Sequence, residues 1–214
     1  MRLVRIRAEL TAHIKMTLDQ YNLPPLDVRI QTRRTRKQVA AHFPNPVVRQ
    51  TVQLDVDVID ALDDQLRSLE SSLTRQAKRH DVTTYQLLKT IPGVGAILAL
   101  VILYEIGDIE RFETVQRFAS YARLARGDKE SAGKKVGKGK AKMGNAYLKW
   151  AFSEVAVMFL RGNPDAHKAV ERLRSKHGKG KALSILAHKL GRCVYTMLSK
   201  QRPFDQERFM KSFG

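Results

Sequence analysis

Between Val48 and about Arg79, the apolar residues Val52, Val56, Ile59, Leu62, Leu66, Leu69 and Leu73 step by 4, 3, 3, 4, 3 and 4. A mean step near 3.5 keeps these side chains on one side of an α-helix. It does not suit a strand, whose side chains alternate with a period of two. A helix this long, roughly 45 Å at 1.5 Å per residue, limits the rest of the chain to what can pack along it. Two readings stay open, because the repeat lasts only about three heptads. The helix is either packed on its own domain or is an arm whose seam pairs with a second copy.

The flanking sequence is helical too. Leu3, Ile6, Leu10, Ile14, Leu18 and Tyr21 recur at spacings of three and four, one stripe of an amphipathic helix over 2–21, which Pro24 and Pro25 end. The basic stretch around Arg33–Lys37 is compatible with a helix up to the break at Pro44 and Pro46. A short helix ending at Leu87 and Leu88, the turn P-G-V-G and a very apolar helix over 96–106 have the layout of a helix–hairpin–helix. A turn and helix follow over 109–126. Three further helices are expected, over 145–160, 165–176 and 181–200, each closed by glycine or proline. The only strand signal is a possible short hairpin within 128–142. The expected fold is mainly α: N-terminal helices with a coiled-coil segment over 1–81, then a compact helical domain over 82–214.

Charge narrows the choice of partner. Lysine and arginine number 39 against 21 acidic residues, a net charge of +18, which favours a polyanion and nucleic acid first. Cys193 is the only cysteine, so no intrachain disulfide forms and a cysteine-based zinc site is not expected. No stretch has the eighteen or so apolar residues of a membrane span, and the first ten residues lack the apolar core of a signal peptide. The expectation is a cytoplasmic protein with no membrane partner.

The charge is densest in "GDKESAGKKVGKGKAKMGN", residues 127–145. From Ser131 through Lys149 there are six lysines and no acid. Lys134, Lys135, Lys138, Lys140 and Lys142 alternate with glycines, so point charges and accessible backbone N–H groups are offered together to phosphates. A solvated charge run is the plainer alternative, weakened by the absence of interspersed acid. Gly93 and Gly95 permit close backbone approach at the start of the 96–106 helix, where free N–H groups also suit a phosphate; an ordinary helix connection has the same sequence. Ser131 has no base near it in sequence, which leaves a structural role open beside a reactive one. The histidines, His167, His177 and His188 among them, form no metal-ligand pattern. Tyr147, Trp150 and Phe152, just after Asn145, suit a core or a base-stacking platform.

Taken together, "IPGVGAILALVILYEIGD", "GDKESAGKK", "GNAYLKWAF" and "HKLGRCVYTMLSKQRPFDQERF" resemble the C-terminal domain of DEDD-type insertion-sequence transposases, the bridge-RNA-guided serine recombinases. The resemblance covers most of 83–209, and "LVRIRAELTAHIKMTL" is similar to the family's connecting helix. It implies site-specific DNA cleavage and rejoining, with the serine of the S-A-G block, here Ser131, as nucleophile. It implies DNA and a structured guide RNA as partners, and protomer contacts through 48–79. Gly93, Gly95, the five loop lysines and Asn145 become its nucleic-acid-binding residues. Magnesium is expected only with a RuvC-like domain bearing four carboxylates, and this chain is expected to bind no cofactor itself. The chain starts at the connecting helix, and Glu9, Asp19 and Asp27 do not replace those carboxylates. Arg126 also stands where relatives often have proline. The resemblance therefore implies a transposase fragment inactive on its own, with a non-catalytic nucleic-acid-binding or transposase-modulating oligomerisation protein as the alternative.

Overall fold

The computed structural model describes residues 2–23, 32–125, 128–131, 134–138 and 143–213, the two strand segments by their backbone. These residues are mainly helical and divide into two compact units, Met1–Ser72 and Leu73–Gly214.

The first unit is built from α1 (Arg2–Gln20), α2 (Arg33–Val39) and the part of α3 (Pro46–His80) up to Ser72. Thr32 caps α2 by accepting from the Thr35 N–H. Pro46 opens α3, where its missing N–H costs nothing, while Asn45 Oδ1 accepts from the Val47 N–H at 2.9 Å. Ile14 and Leu18 of α1 join Val39, Phe43, Val52, Val56 and Ile59 in one buried cluster. The first half of the heptad-like seam is therefore part of its own chain's core. Val52, Val56 and Ile59 are at most 1% exposed and cannot serve as a seam for a second copy.

An ion network closes this unit. The Arg36 side chain, only 4% exposed, donates to Asp60 at 2.6 Å and Asp63 at 2.5 Å. Arg33 reaches Asp60 at 3.0 Å, and Arg7 reaches Asp63 at 2.7 Å. Burial pushes the Asp63 carboxyl up, but hydrogen bonds from Arg7 and Arg36 and their charges outweigh it and hold the group below its ordinary pKa. A buried guanidinium needs such partners. Of the basic "RRTRK" segment, Arg36 is thus spent inside the fold and the exposed Arg33 is paired at its surface, while Arg34 and Lys37 are exposed.

The second unit takes the end of α3 and then α4 (Val82–Lys89), α5 (Ala96–Ile106), α6 (Val115–Tyr121), β1 (Asp128–Ser131), β2 (Lys134–Lys138), α7 (Ala146–Leu160), α8 (Pro164–His177), α9 (Lys179–Ser199) and α10 (Gln206–Lys211). Asp81, Thr114, Asn145, Asn163 and Asp205 each cap a helix with a side-chain oxygen. α7 and α9 carry the centre of the core through Leu148, Phe152, Phe159, Leu186, Leu190 and Val194, all fully buried. α5 adds Ile102 and Ile106 to the same cluster, which explains its almost unbroken apolar sequence. α10, absent from the sequence reading, seats Phe209 against Phe159 with ring centroids 5.3 Å apart. Six residues are too few to show a helical period. Among the described residues, no helix is long and apolar enough to cross a membrane.

Candidate nucleic-acid interface

The lysine–glycine segment leaves the core after α6 and returns at α7, and its two ends are tied together. The Asn145 N–H donates to the Tyr121 carbonyl at 2.6 Å. Arg123 Nε donates to the Gly144 carbonyl at 2.8 Å. Gly144 has φ +101, and a Cβ there would lie 2.5 Å from the Tyr121 carbonyl oxygen, so glycine is required where the strands of chain cross. Beneath this crossing, Asn145 Oδ1 accepts from the N–H groups of Tyr147 and Leu148 at 2.8 and 2.9 Å. Its Nδ2 donates to Glu105 at 2.6 Å and to the Tyr121 hydroxyl at 3.4 Å. The hydrogen bond from Asn145 is the largest influence lowering the Tyr121 phenol pKa. Burial opposes it, while Arg111 adds a hydrogen bond and its charge against the raising effect of Glu105. The Arg111 guanidinium lies 4.7 Å from the Tyr121 ring centroid.

Between these ends, β1 and β2 pair antiparallel. Asp128 stands opposite Lys138, Lys129 opposite Gly137, Glu130 opposite Lys135 and Ser131 opposite Lys134, with an irregularity between Lys129 and Glu130. The expected hairpin is therefore present, and Ser131 ends its first strand. The backbone register brings Ser131, Lys134, Lys135 and Lys138 into one small element. Lys140 and Lys142 lie outside the described residues, as do Ala132 and Gly133 of the S-A-G block, Arg126 and Asp27.

The other candidates fare differently. Gly93, at φ +85, is exposed, but a Cβ on it would lie 2.7 Å from the Met158 backbone carbon. The packing of the 90–95 turn on α7 accounts for that glycine by itself. Gly95 is exposed at the N-terminus of α5 with nothing within 4 Å of a Cβ, so backbone N–H groups there are open to a partner. Asn145 has both N–H bonds and its oxygen engaged inside the fold. Phe152 is fully buried and Trp150 packs against the core, which leaves Tyr147 exposed near the returning chain. Burial pushes the Cys193 thiol up to about 11, so it is no thiolate nucleophile. Among the described residues no three His, Cys, Asp or Glu side chains group as a metal site requires. These residues do not fit a magnesium site. Glu105, Arg111, Tyr121 and Arg123 escaped the sequence reading; the only local signal was the G-N-x-x-L start of α7, a cap in need of a partner.

Residues 85–171 match the model of the transposase IS116/IS110/IS902 family. Three relatives extend the comparison. The insertion element IS110 uncharacterized 43.6 kDa protein of Streptomyces coelicolor is 31% identical over 146 residues, 65% of this chain and 35% of the relative. The transposase for insertion sequence element IS1111A of Coxiella burnetii is 27% identical over 146 residues, 66% and 40% of the two chains. The pilin gene-inverting protein of Moraxella bovis is 30% identical over 178 residues, 81% and 53% of the two chains. The chain thus spans between about a third and a half of the length of these relatives. The matched segment contains the 90–95 turn, the pinned hairpin and Asn145.

Proposed function

We propose that this chain is a DNA-binding part of an insertion-element transposase, holding DNA at the hairpin between α6 and α7. The observation that carries the reading is the construction of that site. A run of lysines and glycines without acid stands on a base tied by Arg123, Gly144 and Asn145, within the segment that matches the transposase family. A lysine-rich segment whose two ends are tied together suits phosphate, since a shortened span of chain loses less freedom on binding. The open N-terminus of α5 after Gly95 supplies a second phosphate contact, as in a helix–hairpin–helix.

In the same reading, Ser131 is the nucleophile: its hydroxyl oxygen attacks a DNA phosphorus, the strand's 3′ or 5′ oxygen leaves with a proton, and a phosphoserine ester links protein to strand until the reverse attack rejoins the DNA. Removing the loop's charge tests the binding half. Lys134, Lys135, Lys138, Lys140 and Lys142 changed together to Gln should reduce the steepness of the salt dependence of duplex binding by about 4 to 5, near 0.9 per phosphate contact. An unchanged slope in a variant with parental helical content would move the DNA site elsewhere.

A further inference from the structure

The lysine–glycine pattern occurs twice. Lys135-Val136-Gly137-Lys138-Gly139-Lys140-Ala141 is repeated as Lys176-His177-Gly178-Lys179-Gly180-Lys181-Ala182, with a single difference at the second position. The second copy lies beyond the segment that matches the transposase family, at the corner between α8 and α9. There the geometry is fully described. Lys176, Lys179 and Lys181 are exposed, and among the described residues none of them makes a hydrogen bond or ion pair. A Cβ added at Gly178 or Gly180 would meet nothing within 4 Å, so the backbone between the lysines is open as well. The corner is held by Ala182, fully buried beneath it, and by Gly178 at φ +82, which lets α8 turn into α9. Arg172 adds exposed charge, and the one acid nearby, Glu171, is paired with Arg174 at 3.1 Å.

Three lysines gathered in six residues repel one another, and two of them sit in the first turn of a helix, where the macrodipole disfavours cations. The C-terminal end of α8 favours Lys176 in its last turn, but among the described residues no acid pairs with any of the three. In the first unit Arg7, Arg33 and Arg36, by contrast, are each set on an aspartate. We infer that the α8–α9 corner is a second phosphate-contacting surface for duplex DNA, engaged together with the hairpin. Position supports joint use. Gly191 of α9 packs directly against Leu124, at the base of the hairpin. From Gly191 back to Lys179 is about 18 Å of helix. A duplex lying along α9 would cover that distance in about five base pairs.

This inference rests on the DNA-binding reading, and one experiment separates their failures. Binding of a random-sequence duplex is followed by fluorescence anisotropy over a salt series for the parent, for Lys176→Gln/Lys179→Gln/Lys181→Gln, and for a control, Lys15→Gln/Lys37→Gln/Lys200→Gln. The corner variant should lower the magnitude of the log–log salt slope by about 2 to 3, with the control unchanged. Absence of duplex binding by the parent would overturn both readings. Parental slope in the corner variant, or an equal loss in the control, would overturn the corner alone. So would a loss seen only with single-stranded RNA of the same length. Exposed lysines changed to glutamine leave the core intact, and circular dichroism of each variant verifies it.

Discussion

Affinity for duplex DNA should fall about ten-thousandfold when salt is raised from 50 to 200 mM, the loss that follows from releasing counterions at about eight phosphates, five of them at the loop lysines and three at the α8–α9 corner. In the proposed reading five loop lysines account for most of that number, in a segment whose flanks are tied by Arg123 and Gly144. Net charge alone would also produce salt dependence, so the size of the slope is what discriminates. Diffuse attraction of a +18 chain is screened beyond roughly 10 Å at 0.1 M salt, whereas contacts at the phosphates keep their full counterion stoichiometry. The measurement is a salt titration of the dissociation constant. A slope magnitude near 1 would mean that the lysines stay solvated and the hairpin is not a DNA site.

Changing Gly93 to Ala should destabilise the second unit by about 2–5 kcal/mol. A non-glycine residue held at positive φ costs about 1–2 kcal/mol. Forcing a methyl group against backbone adds about 1–3 kcal/mol. The atoms met are the Met158 carbonyl carbon and oxygen, 2.7 and 2.8 Å away, and these cannot rotate aside as a flexible side chain would. Trp150, the chain's only tryptophan, lies in α7 and reports on this unit through its emission during urea unfolding. Gly95→Ala is the matched comparison: φ is −80 with nothing near the new methyl, so it should stay within about 1 kcal/mol of the parent. Equal midpoints for the two variants would contradict the packing assigned to Gly93. The pair also separates two jobs that the sequence merges in one P-G-V-G turn, since Gly93 serves the fold and Gly95 leaves backbone open.

That turn shows where sequence reading reaches and where it stops. Periodicity and punctuation are local, and they located α3, α5, α7 and α9 closely; α5 spans Ala96–Ile106 as its apolar run indicated. Partners distant in sequence leave no such trace. Arg36 reads as one more base in "RRTRK" until Asp60 and Asp63, 24 and 27 residues on, are brought against it. The seam of α3 has the spacing of a coiled coil because a core helix and a dimer helix bury the same stripe; only the position of α1 and α2 decides between them for Val52, Val56 and Ile59. Asn145 could be read as a residue for nucleic acid, yet Glu105, 40 residues earlier, takes up its amide. The loop lysines stand out in the sequence because their signal is composition, which needs no partner within the chain.

The most direct test of the central claim is to look for a bond between Ser131 and DNA. The chain would be incubated with labelled duplex from the DNA flanking its own reading frame, with magnesium and the part of a relative that this chain does not match supplied in trans. Denatured products would then be digested and mapped by mass spectrometry. The account predicts a nucleotide-linked peptide containing Ser131 that disappears in Ser131→Ala, while duplex affinity stays at the parental value. An adduct of equal yield in Ser131→Ala, or one mapping to another residue, would contradict it.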